Sequence, residues 1–117
     1  MSILLATGTL EVDQIIQQRM PSYSFVDSVY STDDLITTIF ETKPTHILLS
    51  ELLKGEISLE EVISLIYFRF PYVHIIFISK DDDKSFHSFL QKHRIRSILS
   101  GSFTILELKE KIQNAYQ

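Results

Sequence analysis

The sequence predicts an α/β fold, a three-layer sandwich in which a five-stranded parallel sheet lies between two layers of helices. Five short apolar segments alternate along the chain with five segments whose apolar residues recur at helical spacing. The segment Ile47-Leu48-Leu49 is apolar at successive positions, as expected of a strand buried on both faces of a sheet. Such alternation is typical of right-handed βαβ units, which build parallel sheets.

The first part of the chain predicts two strands and two helices. Residues 3–6 form an apolar strand, and Thr9 is predicted to cap the helix that follows it. Residues 24–29 alternate in polarity, which indicates a less buried edge strand with Phe25 and Val29 on one side. Ser31 is predicted to cap the second helix. The apolar faces expected for these two helices contain, in chain order, Val12, Ile15, Ile16 and Met20, then Leu35, Ile36, Ile39 and Phe40.

The central strand is predicted at residues 44–50, where Pro44 prevents the preceding helix from continuing. Ser58 and Thr104 each begin a capping-box pattern, which marks the starts of the third and fifth helices. Residues 73–78 and 97–99 predict the fourth and fifth strands, and Asp81-Asp82-Asp83 predicts a loop before the fourth helix. The apolar faces expected for the last three helices contain Leu59, Val62, Ile63, Ile66 and Phe70; Phe86, Phe89 and Leu90; and Ile105, Leu108, Ile112 and Tyr116.

Length and composition exclude several classes of function. A chain of 117 residues with 44% hydrophobic residues suits one domain, residues 1–117, with a substantial core. The formal net charge of −4 argues against nucleic acid as a main partner, because nucleic-acid binding usually needs a basic face. The absence of cysteine excludes disulfides, thiolate chemistry and cysteine-based zinc sites. Since no apolar run approaches the roughly 18 residues of a membrane span and the start has no basic leader, we expect a cytoplasmic domain without membrane insertion.

The sequence predicts neither a cofactor nor a metal ion. Its three glycines, Gly8, Gly55 and Gly101, stand in separate segments, so they cannot form a nucleotide-binding glycine motif. Asp81-Asp82-Asp83 lacks the downstream glutamate of a calcium-binding loop. A solvated loop that also caps a helix is the simpler interpretation.

Five strands and five helices favour the flavodoxin-like strand order 2-1-3-4-5, which also puts the weakly apolar second strand at an edge. Ligands of such sheets bind beyond the carboxyl ends of the strands, so chemistry is expected near Ser50. Glu51 should point away from the pocket if Ser50 points into it, because successive strand residues face opposite sides. A serine nucleophile would need a nearby base, whereas His46 and His74 are expected at the opposite end of the sheet.

Four segments carry a family resemblance: residues 3–6, 44–50, 71–79 and 99–103. Together they resemble the receiver domains of bacterial response regulators, the CheY-like fold, over essentially the full chain. Receivers place the phosphorylated aspartate six residues beyond the proline, where this chain has Ser50. They place two acidic residues after the first strand, where it has Thr7 and Gly8, and a lysine shortly before the aromatic residue that follows strand five, where it has Gly101. Only the hydroxyl residue at the end of strand four is kept, as Ser79.

These departures predict a degenerate receiver, or pseudo-receiver, that is not phosphorylated. Phosphoryl transfer to a receiver needs a carboxylate nucleophile and a Mg²⁺ held by carboxylates, and the substituted positions supply no charge. The resemblance therefore implies neither Mg²⁺ binding nor enzyme activity. Within this class, the chain looks most like the receiver-like domains that precede ParA/MinD-type ATPases in TadZ/CpaE-like pilus-assembly proteins. That match implies a longer protein that continues beyond Gln117, in which the domain regulates or localises the ATPase.

Two surfaces are candidates for contact with a protein partner or a second copy of the chain. The charged face, formed by the fourth helix, fifth strand and fifth helix, contains Lys92, Arg94, Arg96, Glu107 and Glu110. The third-helix face is the outer side of the third helix, where Leu65 and Phe68 are expected to be exposed. We expect self-association through a two-fold contact. The family resemblance favours the charged face, because the corresponding surface forms the dimer contact in many receivers.

A function of a different class stays open, namely a flavodoxin-like enzyme or small-ligand-binding domain that uses the mouth around Thr7, Ser50, Ser79 and Gly101. The shape of the mouth distinguishes the two hypotheses. A deep pocket with convergent polar groups would favour ligand binding, whereas a shallow mouth would favour an interaction domain.

Overall fold

The computed structural model describes residues 1–80 and 86–114, in which strands and helices alternate. The strands are β1 (Ile3–Ala6), β2 (Phe25–Ser28), β3 (His46–Ser50), β4 (His74–Ser79) and β5 (Ser97–Ser100). The helices are α1 (Leu10–Arg19), α2 (Thr32–Thr42), α3 (Leu59–Arg69), α4 (His87–Lys92) and α5 (Ile105–Asn114). The predictions for Asp81-Asp82-Asp83 and for Tyr116 lie outside the described residues. Within the described part of the chain, no helix combines the length and the apolar character that crossing a membrane requires.

The five strands form one parallel sheet in the order β2-β1-β3-β4-β5, so the predicted fold is confirmed. All five residues of the central strand β3 are buried, and it pairs with β4 from His46↔His74 to Ser50↔Ile78. β2 lies at the edge, in agreement with its weaker apolar pattern. Parallel pairing brings the carboxyl ends of the strands to one side of the sheet, which is where ligand sites of this architecture lie.

Helices cover both faces of the sheet, and a separate apolar core lies on each face. On one face, α2, α3 and α4 pack on a cluster that includes Leu4, Leu49 and Phe77. On the other, α1 and α5 pack on a cluster that includes Leu5 and Leu48. Successive strand residues thus supply opposite cores, which explains why β1 and β3 are apolar at consecutive positions.

A β-bulge changes the predicted orientation of side chains around β2. Phe25 packs against the core below α1 and α5, whereas Val29 is buried in the core below α2, α3 and α4. The prediction that these two residues share a side is therefore wrong. The pairing with β1 passes from Ile3↔Phe25 to Leu4↔Asp27, so that one extra residue lies in β2. Such an insertion turns every later side chain of the strand to the opposite face of the sheet.

The buried face of α1 is not the one that its apolar residues predict. Ile16 is buried and Val12 packs against the same core, but Ile15 is exposed, so the prediction for Ile15 is wrong. At 3.6 residues per turn, Ile15 lies about 100° around the helix from Ile16. Asp13, which flanks Ile16 on the side away from Ile15, is buried instead.

Three of the four predicted helix caps form. The side chains of Ser31, Ser58 and Thr104 each accept a hydrogen bond from the backbone N–H three residues later, at 3.1, 3.2 and 3.1 Å. In the last of these, Glu107 reciprocates, because its Oε1 accepts from the Thr104 N–H at 3.1 Å. Thr9 stands at the start of α1 but its side chain makes no capping bond, so that prediction is wrong. Its own N–H lies 3.3 Å from the Thr7 hydroxyl instead.

The apolar face of α2 is narrower than predicted. Leu35 and Ile39 are buried and Ile36 packs against the core, but Phe40 is 71% exposed, so its predicted burial is wrong. Phe40 lies about 100° around the helix from Ile39, beyond the edge of the apolar stripe. Its ring instead contacts Phe70 edge-on at the surface, with the ring centroids 6.5 Å apart.

Candidate functional site

The carboxyl ends of β1, β3, β4 and β5 surround an open cavity of about 520 Å³. Four of the five residues predicted for the degenerate pocket line it, namely Thr7, Ser50, Ser79 and Gly101. Gly8 is not among the lining residues and serves the turn after β1, where its φ of +80° is a conformation that glycine adopts without strain. The cavity has the size of a small-molecule site, so its mouth is not filled in.

Ser50 ends the central strand and lines the cavity at this edge of the sheet. It is buried, and its Oγ accepts a hydrogen bond from the Leu52 N–H at 3.0 Å. This local bond is typical of serine in a turn. The neighbouring residue, Glu51, donates its N–H to the Ile78 carbonyl at 3.0 Å and is not among the cavity's lining residues. This part of β3 therefore brings no carboxylate into the described lining of the cavity.

Asp13 is a buried carboxylate beside the cavity that sequence reasoning missed. It is 2% exposed, and its Oδ1 accepts a hydrogen bond from the Thr7 hydroxyl at 2.5 Å. Its Oδ2 is buried without a hydrogen-bond partner. Burial raises the pKa of the Asp13 carboxyl above its usual range, and interactions with the Thr7, Ser28 and Tyr30 side chains oppose that shift. The available signal was its position three residues before Ile16, on the same side of α1.

Lys80 is a second cavity residue that sequence reasoning missed. It follows Ser79 directly and lines the cavity, as do Ser100 and Ser102, whose Oγ atoms are 3.4 Å apart. Gly101 lies between these serines and close to the end of β4. A Cβ atom at Gly101 would meet the carbonyl oxygens of Ser79 and Lys80 at 3.4 Å, so the absent side chain lets the two loops approach closely.

The described residues that line the cavity carry one positive charge, on Lys80, and no carboxylate. Hydroxyl groups from several strands supply the remaining polar atoms. Within residues 1–80 and 86–114, no group of three or more His, Asp or Glu is placed to hold a metal ion. A lysine together with hydroxyl donors suits an anion better than a cation.

The two strand histidines lie at the opposite end of the sheet. His46 and His74 begin β3 and β4, and their ring centroids are 5.4 Å apart. The strands separate His46 from Ser50 by roughly 13 Å and His74 from Ser79 by roughly 17 Å, so neither histidine can act as the base of the serine on its own strand. His46 is fully buried. Burial, together with the electrostatic interactions of His74 and the N-terminal amino group, lowers the pKa of His46 to about 4.

The residues predicted for the charged face are all exposed: Lys92, Arg94, Arg96, Glu107 and Glu110. Arg94 has a φ of 60° and forms the tight turn from α4 into β5. The Glu107 carboxylate is already bonded to the Thr104 N–H as part of the helix cap. An intermolecular contact by Glu107 would therefore compete with a bond inside the domain.

The third-helix face exposes the two apolar residues that the sequence singles out. Leu65 is 38% exposed and Phe68 is 74% exposed. They border a shallow groove of about 430 Å³, whose lining residues are Glu60, Glu61, Ser64, Leu65, Phe68 and Arg69. The structure thus brings apolar, acidic and basic groups together on one face of α3.

The strand order and the helical layers define the chain as having the fold of response-regulator receiver domains, the CheY-like fold. No family model matches the sequence, and no curated protein matches it. Many solved structures match the fold, and those compared below are response-regulator receivers.

Three of these structures illustrate the match. A DNA-binding response regulator of the LuxR family from Staphylococcus aureus is 16% identical, with a TM-score of 0.88 over 99% of this chain and 98% of that one. The signal receiver domain of a putative Luxo repressor protein from Vibrio parahaemolyticus is 19% identical, with a TM-score of 0.86 over 97% and 88%. A CheY-like receiver domain protein from Methanospirillum hungatei JF-1 is 13% identical, with a TM-score of 0.83 over 96% and 90%. At these identities, the likeness establishes the fold.

Proposed function

We propose that this chain is a pseudo-receiver: a protein-interaction domain that is not phosphorylated and has no catalytic activity. The observation that carries the proposal is the buried serine, Ser50, at the end of the central strand. Its Oγ is bonded to a backbone N–H of the following turn, and the described lining of the cavity has no carboxylate. The domain then functions through its surface, which binds a protein partner or a second copy of the chain.

The chemistry of phosphoryl transfer supports this proposal. An acyl phosphate forms on a carboxylate, and Mg²⁺ is normally held by one or two carboxylates together with phosphate oxygens. The carboxylate of Asp13, beside the cavity residue Thr7, is buried and bonded to the Thr7 hydroxyl. It is poorly placed to reach a phosphate donor in the cavity, because it does not belong to the cavity lining.

Incubation with acetyl phosphate and Mg²⁺ tests the proposal. We expect the mass of the intact protein to stay unchanged, while a conventional receiver treated in parallel gains one phosphoryl group. A Ser50→Asp variant is the matched comparison, because it restores the missing nucleophile without altering the rest of the cavity. A Mg²⁺-dependent gain of one phosphoryl group by the unaltered chain would contradict the pseudo-receiver proposal.

We also propose that residues 1–117 form the N-terminal domain of a longer cytoplasmic protein of the TadZ/CpaE-like type. In that protein the domain would regulate or localise a fused ParA/MinD-type ATPase during pilus assembly. The support is the overall sequence pattern together with the pocket substitutions at Ser50 and Thr7. Reading the coding sequence beyond Gln117 tests this: a P-loop ATPase in frame supports the proposal, and an immediate stop codon contradicts it.

The open cavity favours a second candidate, a small-ligand-binding domain. Its volume of about 520 Å³, its hydroxyl groups and Lys80 suit a small oxyanion that binds without a metal ion. Titration with inorganic phosphate, followed by backbone amide NMR shifts, tests it. Shifts confined to the loops after β1, β3, β4 and β5, lost in Lys80→Ala and kept in Lys54→Ala, would support it. Lys54 is a suitable control because it is exposed and does not line the cavity.

A further inference from the structure

The third-helix face has a charge arrangement that matches a second copy of itself. Glu61 precedes Leu65 by four residues and Arg69 follows it by four, and both charged side chains are exposed. At 3.6 residues per turn, all three lie on one side of α3. If two copies of α3 packed antiparallel about a two-fold axis at Leu65, Glu61 of each would face Arg69 of the other.

We propose that the domain forms a two-fold homodimer through antiparallel contact of its α3 helices. This inference rests on the proposed interaction function and names both the surface and the partner. Phe68 of each copy enters the groove of the other beside Leu65, and one Glu61–Arg69 contact closes each end. A two-fold axis requires a self-complementary surface of this kind, and it uses the patch once on each copy, so that assembly stops at two.

Burial and chemistry favour this face over the charged face. Interface energy is usually concentrated in a few apolar or aromatic anchors, whereas exposed ion pairs contribute little. Phe68 is such an anchor, since its side chain is 74% exposed and borders a groove. On the charged face, Glu107 is already engaged by the Thr104 N–H.

The third-helix face is held in place by a bond to the neighbouring helix. The His93 Nδ1 donates to the Phe89 carbonyl at 2.9 Å in the tautomer that leaves Nε2 as an acceptor, and Nε2 accepts from the Ser64 hydroxyl at 3.2 Å. Ser64 lines the groove. Because α3 also contacts α2, it is fixed on both neighbours. Little ordering of the face is then needed on association, which favours binding.

Sedimentation equilibrium of the complete chain tests the apolar centre of this contact. We expect the wild type to dimerise and Phe68→Ser to weaken dimerisation by more than tenfold, as loss of an interface anchor does. Phe40→Ser is the matched control, because Phe40 is equally exposed but lies on α2. It should change the dimer constant by less than about twofold, like most exposed residues outside an interface.

A charge-exchange experiment tests the antiparallel geometry itself. Glu61→Arg should weaken dimerisation because two arginines then meet across the axis, and Arg69→Glu should weaken it because two glutamates meet. A mixture of these two variants should form a heterodimer, since each basic copy then faces an acidic one. The double variant Glu61→Arg/Arg69→Glu should also dimerise. Recovery in the mixture excludes misfolding of either variant as the cause of the single-variant losses.

Two results would overturn the inference, and they differ in what they say about the proposed function. A dimer that survives Phe68→Ser but is lost in Arg96→Glu places the contact on the charged face and leaves the interaction function intact. A wild type that stays monomeric at all concentrations overturns the homodimer, and the interaction function then requires another protein. Failure of the pseudo-receiver proposal is detected separately, by phosphorylation with acetyl phosphate.

Discussion

At the carboxyl end of the sheet Asp13 is buried beside Thr7, whereas at the amino end His46 is buried beside Thr45 and His74. The Asp13 carboxylate has one oxygen bonded to Thr7 and the other unpaired. The His46 Nδ1 lies 2.8 Å from the Thr45 hydroxyl. Both groups belong to the folded interior, and Asp13 lies next to Thr7, which lines the cavity at the carboxyl end.

The same physical cause acts on the two groups with opposite signs. Burial disfavours a charge, so it raises the pKa of Asp13 and lowers that of His46. The neutral His46 contributes stability that is lost as the pH falls. The Asp13 acid form contributes stability that is lost as the pH rises. Substitutions at the two ends should therefore change the pH dependence of unfolding in opposite directions.

The largest expected effect is acid destabilisation at the amino end. The pKa of His46 falls from 6.5 in the unfolded chain to about 4 in the folded one, so its contribution is complete above pH 6.5 and is lost as the pH approaches 4. A shift of this size corresponds to about 3 kcal/mol of unfolding free energy. Urea unfolding at about pH 7 and about pH 4 measures how much free energy of unfolding each protein loses on acidification. This loss should be smaller in His46→Gln than in the wild type by roughly the same amount.

His87→Gln provides the control for this measurement, because His87 is a half-buried histidine at the start of α4. Measured in parallel, it shows how far unfolding changes when a histidine outside this end of the sheet is replaced. If the wild type and His46→Gln lose the same free energy of unfolding on acidification, His46 is not the group responsible for the loss.

A smaller effect of opposite sign is expected at Asp13. Its pKa is raised in the folded state, so its stabilising acid form is complete below the unfolded value of 3.8 and is lost as the pH rises through the folded value. Asp13→Asn removes the cost of burying a charged carboxylate at neutral pH, while its side-chain oxygen can still accept a hydrogen bond from the Thr7 hydroxyl. We expect the free energy of unfolding to rise at about pH 7, with less gain at about pH 4.

Glu11→Gln is the matched control for Asp13→Asn, because Glu11 lies in the same first turn of α1 but is exposed. It should lower stability slightly, since an acid near a helix start is favourable. Urea unfolding of all three proteins makes the comparison. A clear loss of stability in Asp13→Asn at neutral pH would mean that the carboxylate has a favourable partner and that burial does not dominate.

The smallest effect is expected at Ser50. Replacement by alanine removes one bond, from the Leu52 N–H, and leaves the apolar contacts of the strand unchanged. We expect a loss of about 1 kcal/mol or less in urea unfolding, the net value of a typical hydrogen bond. Ser102→Ala, in an exposed loop at the same cavity, should change stability even less. A much larger loss for Ser50→Ala would indicate that the serine supports more of the cavity than this single bond.

The sequence by itself determined the strand order, most helix limits and much of the mouth of the sheet. The capping serines Ser31 and Ser58 act through N–H groups three residues away, so their signal is complete within one turn of helix. Likewise, consecutive apolar residues in β3 require burial on both faces in whatever order the strands pair. Thr7, Ser50, Ser79 and Gly101 were predicted to lie together, since each ends or directly follows a parallel strand. The role of the cavity stays a proposal.

Only the tertiary structure decided the features that depend on contacts between distant segments. The bulge in β2 arises from pairing with β1, and it is what moves Val29 to the other core. Asp13 looks in sequence like any acid in the first turn of a helix, and only the packing of α1 on the sheet buries it against Thr7. Phe40 lies at the surface, where its ring contacts Phe70 at the end of α3, and this contact between distant segments is not visible in the local pattern of α2. Local signals act within one turn or strand, whereas burial depends on which elements pack together.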